Sequence, residues 1–312
     1  MNIITERPPI RPFTIDFHGD EISVTTAQGL GDIYWAYQKL APYFSQINFN
    51  IASFEGDTYK TATRAVDWMK CFPKVNQIQI KKIAVAQADA LFHQYARIMD
   101  ALEAYQRQEE VFYVQGQWLA EGVRLENIDP GSKIEWDFEL LHESYSLPFS
   151  EYTILYVSGA GETAPVLKAD HHQLWELYKY VELLEGIYRK YDKNWPVVIL
   201  GAYWDKLVEE PLKKILTERG FNNCSVFEQH PLYVIDMIKN AKLYIGYQGG
   251  MSCIADQMGI PQIMLYYPHI APMIFSWCKP QHIRNTYYGT TFANSPQKIV
   301  EELAFDNKSF KL

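Results

Sequence analysis

No apolar stretch among the 312 residues approaches the roughly 18 that a membrane-spanning helix needs. The amino terminus "MNIITERPPIRPF" lacks the apolar core of a signal peptide, so the chain reads as a cytoplasmic protein. Cysteine is scarce: Cys71, Cys224, Cys253 and Cys278 stand far apart with no CxxC pair, which excludes a zinc ribbon or a disulfide framework and leaves buried free thiols. Positive charge is in deficit. Lys and Arg number 29 against 37 Asp and Glu, a net charge of −8, which argues against a surface built to neutralise a nucleic-acid backbone. The usual nucleotide signatures are missing too. "QGLGDIYW" carries Tyr34 and Trp35 where the third glycine of G-x-G-x-x-G would fall, and no G-x-x-x-x-G-K-[ST] occurs. There is no D-x-D pair either, so a diphosphate ligand would lack the paired carboxylates that hold a divalent cation. Backbone amides and basic side chains would have to neutralise it, and the expected chemistry is metal-independent, without a cofactor. His171 and His172 are adjacent, with no Cys or Asp partner at zinc-site spacing, and make no metal site.

Ordinary globular composition, 48% hydrophobic and 21% charged, accompanies a regular alternation of strand and helix patterns. In the first half, Ile22 to Thr26 reads as a strand, "QGLG" as a turn, and Tyr34, Tyr37, Leu40 and Ala41 recur at helical spacing. "INFNIAS" is a second strand, "TATRAVDWMKCF" a helix stopped by Pro73, and "VNQIQI" a third strand. A helical pattern from about Ile83 to Arg107 and the apolar run "EEVFYVQG" follow. Residues 126–150 hold Pro, Gly and Ser with poor periodicity and read as a linker. The same grammar then restarts at "YTILYVSGAG" and runs through to "PQIMLYYP". The fold class is therefore α/β, with two Rossmann-like doubly wound domains facing across a cleft, residues 1–145 and 146–312.

Four glycine turns follow predicted strands: Gly29 and Gly31, Gly159 and Gly161, Gly201, and Gly249 with Gly250. Ligands of open α/β sheets collect beyond the carboxyl ends of strands, where these turns fall. In "YIGYQGGMS" two residues without Cβ stand beside a helix start, where free amides and the helix dipole favour an anion. A phosphate is the natural guest.

The span "HPLYVIDMIKNAKLYIGYQGGMSCIADQMGIPQIMLY" resembles the nucleotide-sugar-binding segment of glycosyltransferase family 9, the ADP-heptose:lipopolysaccharide heptosyltransferases and their relatives. "QGLGDIYWAYQKL" is similar to the family's opening G-x-G-D turn and helix, and "WPVVILGAYWD" to its "VVLLGG" strand. The resemblance implies the glycosyltransferase B fold, with a glycan-type acceptor on the amino-terminal domain and a nucleotide-diphosphate sugar on the carboxy-terminal one. Asp32 falls on the family's general base, and Gly29 and Gly31 lie on the acceptor side. Gly249, Gly250, Met251 and Ser252 match the amides that hold the diphosphate, Ser252 adding a hydroxyl, and Lys168 corresponds to a phosphate-contacting lysine. Gly159, Ala160 and Gly161 form the loop opposite; Gly201, Tyr203 and Asp205 meet the base or ribose.

Three positions depart from the family pattern, Asp256 standing where members usually carry a small residue. Gln248 stands where many members have an aspartate, and Cys253 where they have a histidine. Gln248 can bond a sugar hydroxyl but brings no negative charge, which separates the donor from ADP-heptose. The implied activity is an inverting glycosyl transfer to an acceptor hydroxyl. A nucleotide-sugar epimerase, or a non-catalytic nucleotide-sugar-binding protein, on the same scaffold is the alternative. Asp32 has a competing reading as the cap of a helix starting at Ile33. The aromatic stretches Tyr34 to Tyr37 and Phe112 to Trp118 suit sugar faces and a core equally well.

Overall fold

In a computed structural model of the chain, residues 18–54, 59–83, 105–108, 111–113, 147–157, 176–202, 205–247, 249–266, 287–291 and 294–305 are described. The chain divides into two compact units, Met1–Leu140 with Phe275–Trp277, and Leu141–Ile274 with Cys278–Leu312.

The first unit runs β1 (Gly19–Ala27), α1 (Leu30–Leu40), β2 (Phe44–Phe54), α2 (Tyr59–Met69), β3 (Val75–Ile83) and β4 (Val111–Tyr113). Its strands pair in the order β3-β2-β1-β4, all parallel. Period-two alternation buries Ile22 and Val24 while Glu21 and Ser23 stay in solvent. Helix α1 sends Ile33, Tyr34, Tyr37 and Leu40, three and four residues apart, into the same core. Tyr37 stacks on Phe72 with ring centroids 4.5 Å apart, and its hydroxyl accepts from the Lys74 amide at 3.4 Å. Tyr34 and Tyr37 are 3% and 4% exposed, so of the two uses open to this aromatic stretch their rings serve the core. Strand β3 keeps its extended pairing through Lys81, Lys82 and Ile83, which lie against Ala52, Ser53 and Phe54. The helix expected from Ile83 therefore does not begin there, and most of its span lies outside the described residues.

The second unit runs β5 (Thr153–Tyr156), α3 (Leu177–Tyr191), β6 (Val197–Gly201), α4 (Lys206–Glu218), β7 (Asn223–Phe227), α5 (Pro231–Asn240), β8 (Leu243–Tyr247), α6 (Gly250–Met258), β9 (Gln262–Tyr266), β10 (Tyr287–Thr291) and α7 (Pro296–Glu302). Six parallel strands lie in the order β10-β9-β8-β5-β6-β7. Every residue of β5, β6 and β8 is buried, as continuous apolar runs in a sheet covered on both faces require. Leu155, Ile199, Leu243, Ile245, Ile263 and Leu265 meet Val181, Leu184, Leu212 and Leu216 of α3 and α4 in one core. By alternation the opposite face of β8 and β9 carries Tyr244, Gly246, Gln262 and Met264, and α6 packs against these two strands.

Sequence patterning does not anticipate β10 or α7, and α7 is held by contacts distant in sequence. Its N-cap Ser295 accepts from the Lys298 amide at 3.2 Å, ahead of Pro296. Its far end is clamped by Lys190 of α3, which donates to the carbonyls of Val300 (2.6 Å), Glu301 (3.2 Å) and Leu303 (2.7 Å). Among the described residues no helix is long and apolar enough to cross a membrane. Cys71 and Cys253 are buried thiols outside any disulfide, as expected, while Cys224 is half-buried.

Candidate functional site

Strand order decides where a ligand can enter each sheet. In the first unit β1 lies between β2 and β4. The chain leaves β1 toward one neighbour and later returns on the other side, so the carboxyl end of β1 is a topological switch point. In the second unit β5, β6 and β7 run to one edge and β8, β9 and β10 to the other, and the switch point lies between β5 and β8. The turn Gln28–Gly29 leaves the first, and the loop around Gly249 leaves the second.

At the β8–α6 loop the backbone passes from the buried Tyr247 into a helix that starts at Gly250. Among the described residues, a Cβ built on Gly249 would meet nothing within 4 Å beyond its chain neighbours, so on this side the glycine borders open space. The first intrahelical bond of α6 runs from the Cys253 amide to the Gly249 carbonyl at 3.1 Å. Helix geometry therefore leaves the amides of Gly250, Met251 and Ser252 without an acceptor inside the helix, at its positive end. The side chains of this turn behave differently from its amides. Met251 is 6% exposed and Ser252 fully buried. The Ser252 hydroxyl donates to the Tyr247 carbonyl at 2.8 Å, which turns it inward, against the expectation that it adds a hydroxyl to the ligand.

Beneath this turn lie residues that sequence patterning missed. Gln262 is fully buried at the start of β9, and its Nε2 donates to the Ser252 carbonyl at 3.4 Å. The phenol of Tyr244 occupies the room beside Gly246, with its oxygen 2.7 Å from where a Cβ would stand. Burial pushes that phenol well above the usual tyrosine range. Two signals were available in the sequence: an isolated glycine inside the apolar strand "LYIGY", which marks a close approach, and one amide residue opening the apolar run "QIMLY".

The β6–α4 turn is built on packing. A Cβ on Gly201 would collide with Cε1 of Phe227 and stand 2.9 Å from Cβ and Oδ2 of Asp205. The Asp205 carboxylate, 4% exposed, folds back to accept from the Ala202 amide at 2.7 Å. Both residues thus have local structural duties, and the turn stands one strand away from the β5/β8 switch point. The next turn, before α5, is similar: His230 caps the helix, its Nδ1 accepting from the Leu232 amide at 3.3 Å, and Pro231 takes the first helical position.

Asp32 lies in the first turn of α1, which begins at Leu30 with Gly29 as N-cap. The helix thus starts three residues before the Ile33 start on which the competing cap reading of Asp32 rested, and Gly29 holds the cap position with extended backbone and no side-chain cap bond. Gly31 is the second residue of the same turn. Gly159, Ala160, Gly161, Lys168, Tyr203 and Gln248, together with His171 and His172, lie outside the described residues. Among the described residues, no group of three or more His, Cys, Asp or Glu side chains could hold a metal ion.

No family model matches the chain, and no curated protein matches it in sequence. Solved structures do. A glycosyl transferase family 9 structure from Veillonella parvula DSM 2008 superposes with a TM-score of 0.53 at 11% identity, covering 89% of this chain and 87% of its own. The ADP-heptose lps heptosyltransferase II of E. coli superposes with a TM-score of 0.50 at 13% identity, covering 93% of this chain and 98% of its own. At such identity the likeness is one of architecture: the chain has the glycosyltransferase B fold, two doubly wound α/β units of the kind seen in family 9 glycosyltransferases and heptosyltransferases.

Proposed function

We propose that the protein is an inverting, metal-independent glycosyltransferase that moves a sugar from a nucleotide-diphosphate donor to the hydroxyl of a glycan-type acceptor. The observation that carries this reading is the β8–α6 turn. Two glycines lead from the switch point of the second unit into a helix whose first three amides have no acceptor inside it, with open space at Gly249 among the described residues. In this reading the carboxy-terminal domain, residues 146–312, holds the donor, its diphosphate on the amides of Gly249 to Ser252, with Lys168 and the Gly159–Gly161 loop completing the cradle. Gln248 bonds a sugar hydroxyl, and Gly201, Tyr203 and Asp205 border the nucleoside.

The amino-terminal domain, residues 1–145, holds the acceptor near Gly29 and Gly31. Asp32 takes the proton of the acceptor hydroxyl as that oxygen attacks the anomeric carbon. The bond from the anomeric carbon to the diphosphate breaks on the opposite face, its electrons pass to the leaving phosphate oxygen, and the configuration inverts. The amide array stabilises the charge that collects on the diphosphate.

A thermal-shift screen against nucleoside diphosphates and nucleotide sugars tests the reading, because a ligand that binds only the folded state raises its melting temperature by mass action. One family of nucleotides is expected to stabilise the protein, and the matching nucleotide sugar to be consumed only with an acceptor. Stabilisation by no nucleotide would sink the reading. Interconversion of the donor sugar without an acceptor would replace transfer by epimerisation.

A further inference from the structure

Ser252 belongs to the turn proposed to hold the diphosphate, yet its hydroxyl does not face the open side of that turn. It is fully buried and donates to the carbonyl of Tyr247, the last residue of β8, at 2.8 Å. The bond spans the loop that contains both glycines, so it ties the first turn of α6 to the end of the strand that precedes it. From below, Gln262 of the neighbouring strand holds the same residue through its carbonyl. Tyr244 and Gln262 are paired across β8 and β9, so both side chains rise from the same face of the sheet, the face on which α6 rests. Gly246, lacking a Cβ, lets the Tyr244 phenol run along the strand beneath the turn.

A loop with two adjacent glycines has many backbone conformations to lose, and an anion gains most from amides that are already aligned when it arrives. We infer that Ser252, supported by Gln262, is a positioning residue for a phosphate-bearing ligand: it acts through the Tyr247 carbonyl to hold the amides of Gly250 to Ser252 in place and does not touch the ligand itself. The inference rests on the assignment of this turn to the diphosphate and adds how the turn is kept ready. It also separates two roles that the sequence merges, since the Ser252 amide faces the anion while its hydroxyl serves the scaffold.

The test is isothermal titration of the wild-type protein, Ser252→Ala and Gln262→Leu with ADP, UDP, GDP and CDP, and with the corresponding nucleosides, beside thermal unfolding of each variant. Ser252→Ala is expected to weaken the preferred diphosphate about tenfold, the scale of one lost hydrogen bond, while the affinity for its nucleoside stays within twofold. Gln262→Leu is expected to act in the same direction by a smaller factor, and Ser252→Thr, which keeps the hydroxyl, to restore the diphosphate affinity. Equal diphosphate affinity in Ser252→Ala and wild type would overturn the inference. So would equal weakening of diphosphate and nucleoside, which marks a loss of fold rather than of aligned amides. A wild-type protein that binds no diphosphate would instead remove the phosphate site itself, and with it the role assigned to Ser252.

Discussion

The phenol oxygen of Tyr244 stands 2.7 Å from the position a Cβ would take on Gly246. Two ring carbons follow at 2.8 Å, and the ring is fully buried between the sheet and its covering helix, so it has no room to retreat. Gly246→Ala is expected to destabilise the protein by about 1–3 kcal/mol, the cost of overpacking a closed core. Urea denaturation measures it; a midpoint equal to wild type would mean that the ring moves freely.

Gly201 makes a parallel case with a different cause. An added methyl would meet Phe227 and the folded-back Asp205 carboxylate at once. Gly201→Ala is expected to cost about 1–3 kcal/mol, and Asp205→Ala about 1–2 kcal/mol, because the Ala202 amide loses its acceptor. If either variant instead kept wild-type stability and lost nucleotide binding alone, the turn would be a ligand site before it is a structural one.

Asp32 is the residue on which the proposed chemistry turns. Asp32→Asn is expected to lower the transfer rate by about 10²–10⁴-fold, the range for loss of a general base, with donor affinity unchanged. The readouts are kcat with a consumed donor and titration with the intact one. Ordinary turnover in the variant would return Asp32 to a favourable charge in the first turn of a helix.

Lys190 fastens the carboxy-terminal helix by donating to three carbonyls at its end. Lys190→Met keeps the aliphatic stem and removes the donors. Amide exchange in residues 296–302 is expected to accelerate about tenfold, by the same scale of one net hydrogen bond, with little change in β5 or β8. Uniform acceleration across the unit would show that this helix is integral to the core.

Alkaline stability reports on the buried phenols. Burial pushes Tyr37 up to about 12 against a weaker opposing pull from the Lys74 amide. Burial likewise raises Tyr152, Tyr188 and Tyr244. In the unfolded chain these groups lose their protons near pH 10, earlier than in the folded state, so above that pH the folded state binds more protons and stability falls as pH rises. Below about pH 10 the contribution is fully present. Between about pH 10 and 12 each such phenol takes away up to about 1.4 kcal/mol per pH unit. Denaturation midpoints from pH 8 to 11.5 are expected to be level at first and then fall, less steeply in Tyr37→Phe. An unchanged slope in that variant would mean that Tyr37 ionises as freely folded as unfolded.

Local pattern determined most of the elements of this protein. Alternation in "EISVTTA", the helical recurrence of Tyr34, Tyr37 and Leu40, and the apolar runs of β5, β6 and β8 are local signals, and the structure keeps the elements they specify. Boundaries were weaker: β3 continues through two lysines because its partner strand extends that far, and α7 depends on Lys190, more than a hundred residues earlier in the chain. What only the tertiary structure decided is how two similar glycine turns divide, the one at Gly249 and the one at Gly201. Strand order is a long-range property, and it places the Gly249 turn at a switch point while Gly201 stands one strand away, committed to Phe227 and Asp205. The same holds within the turn itself, where a serine just past two glycines reads as a ligand contact until the end of β8 is seen to accept its hydrogen bond at 2.8 Å.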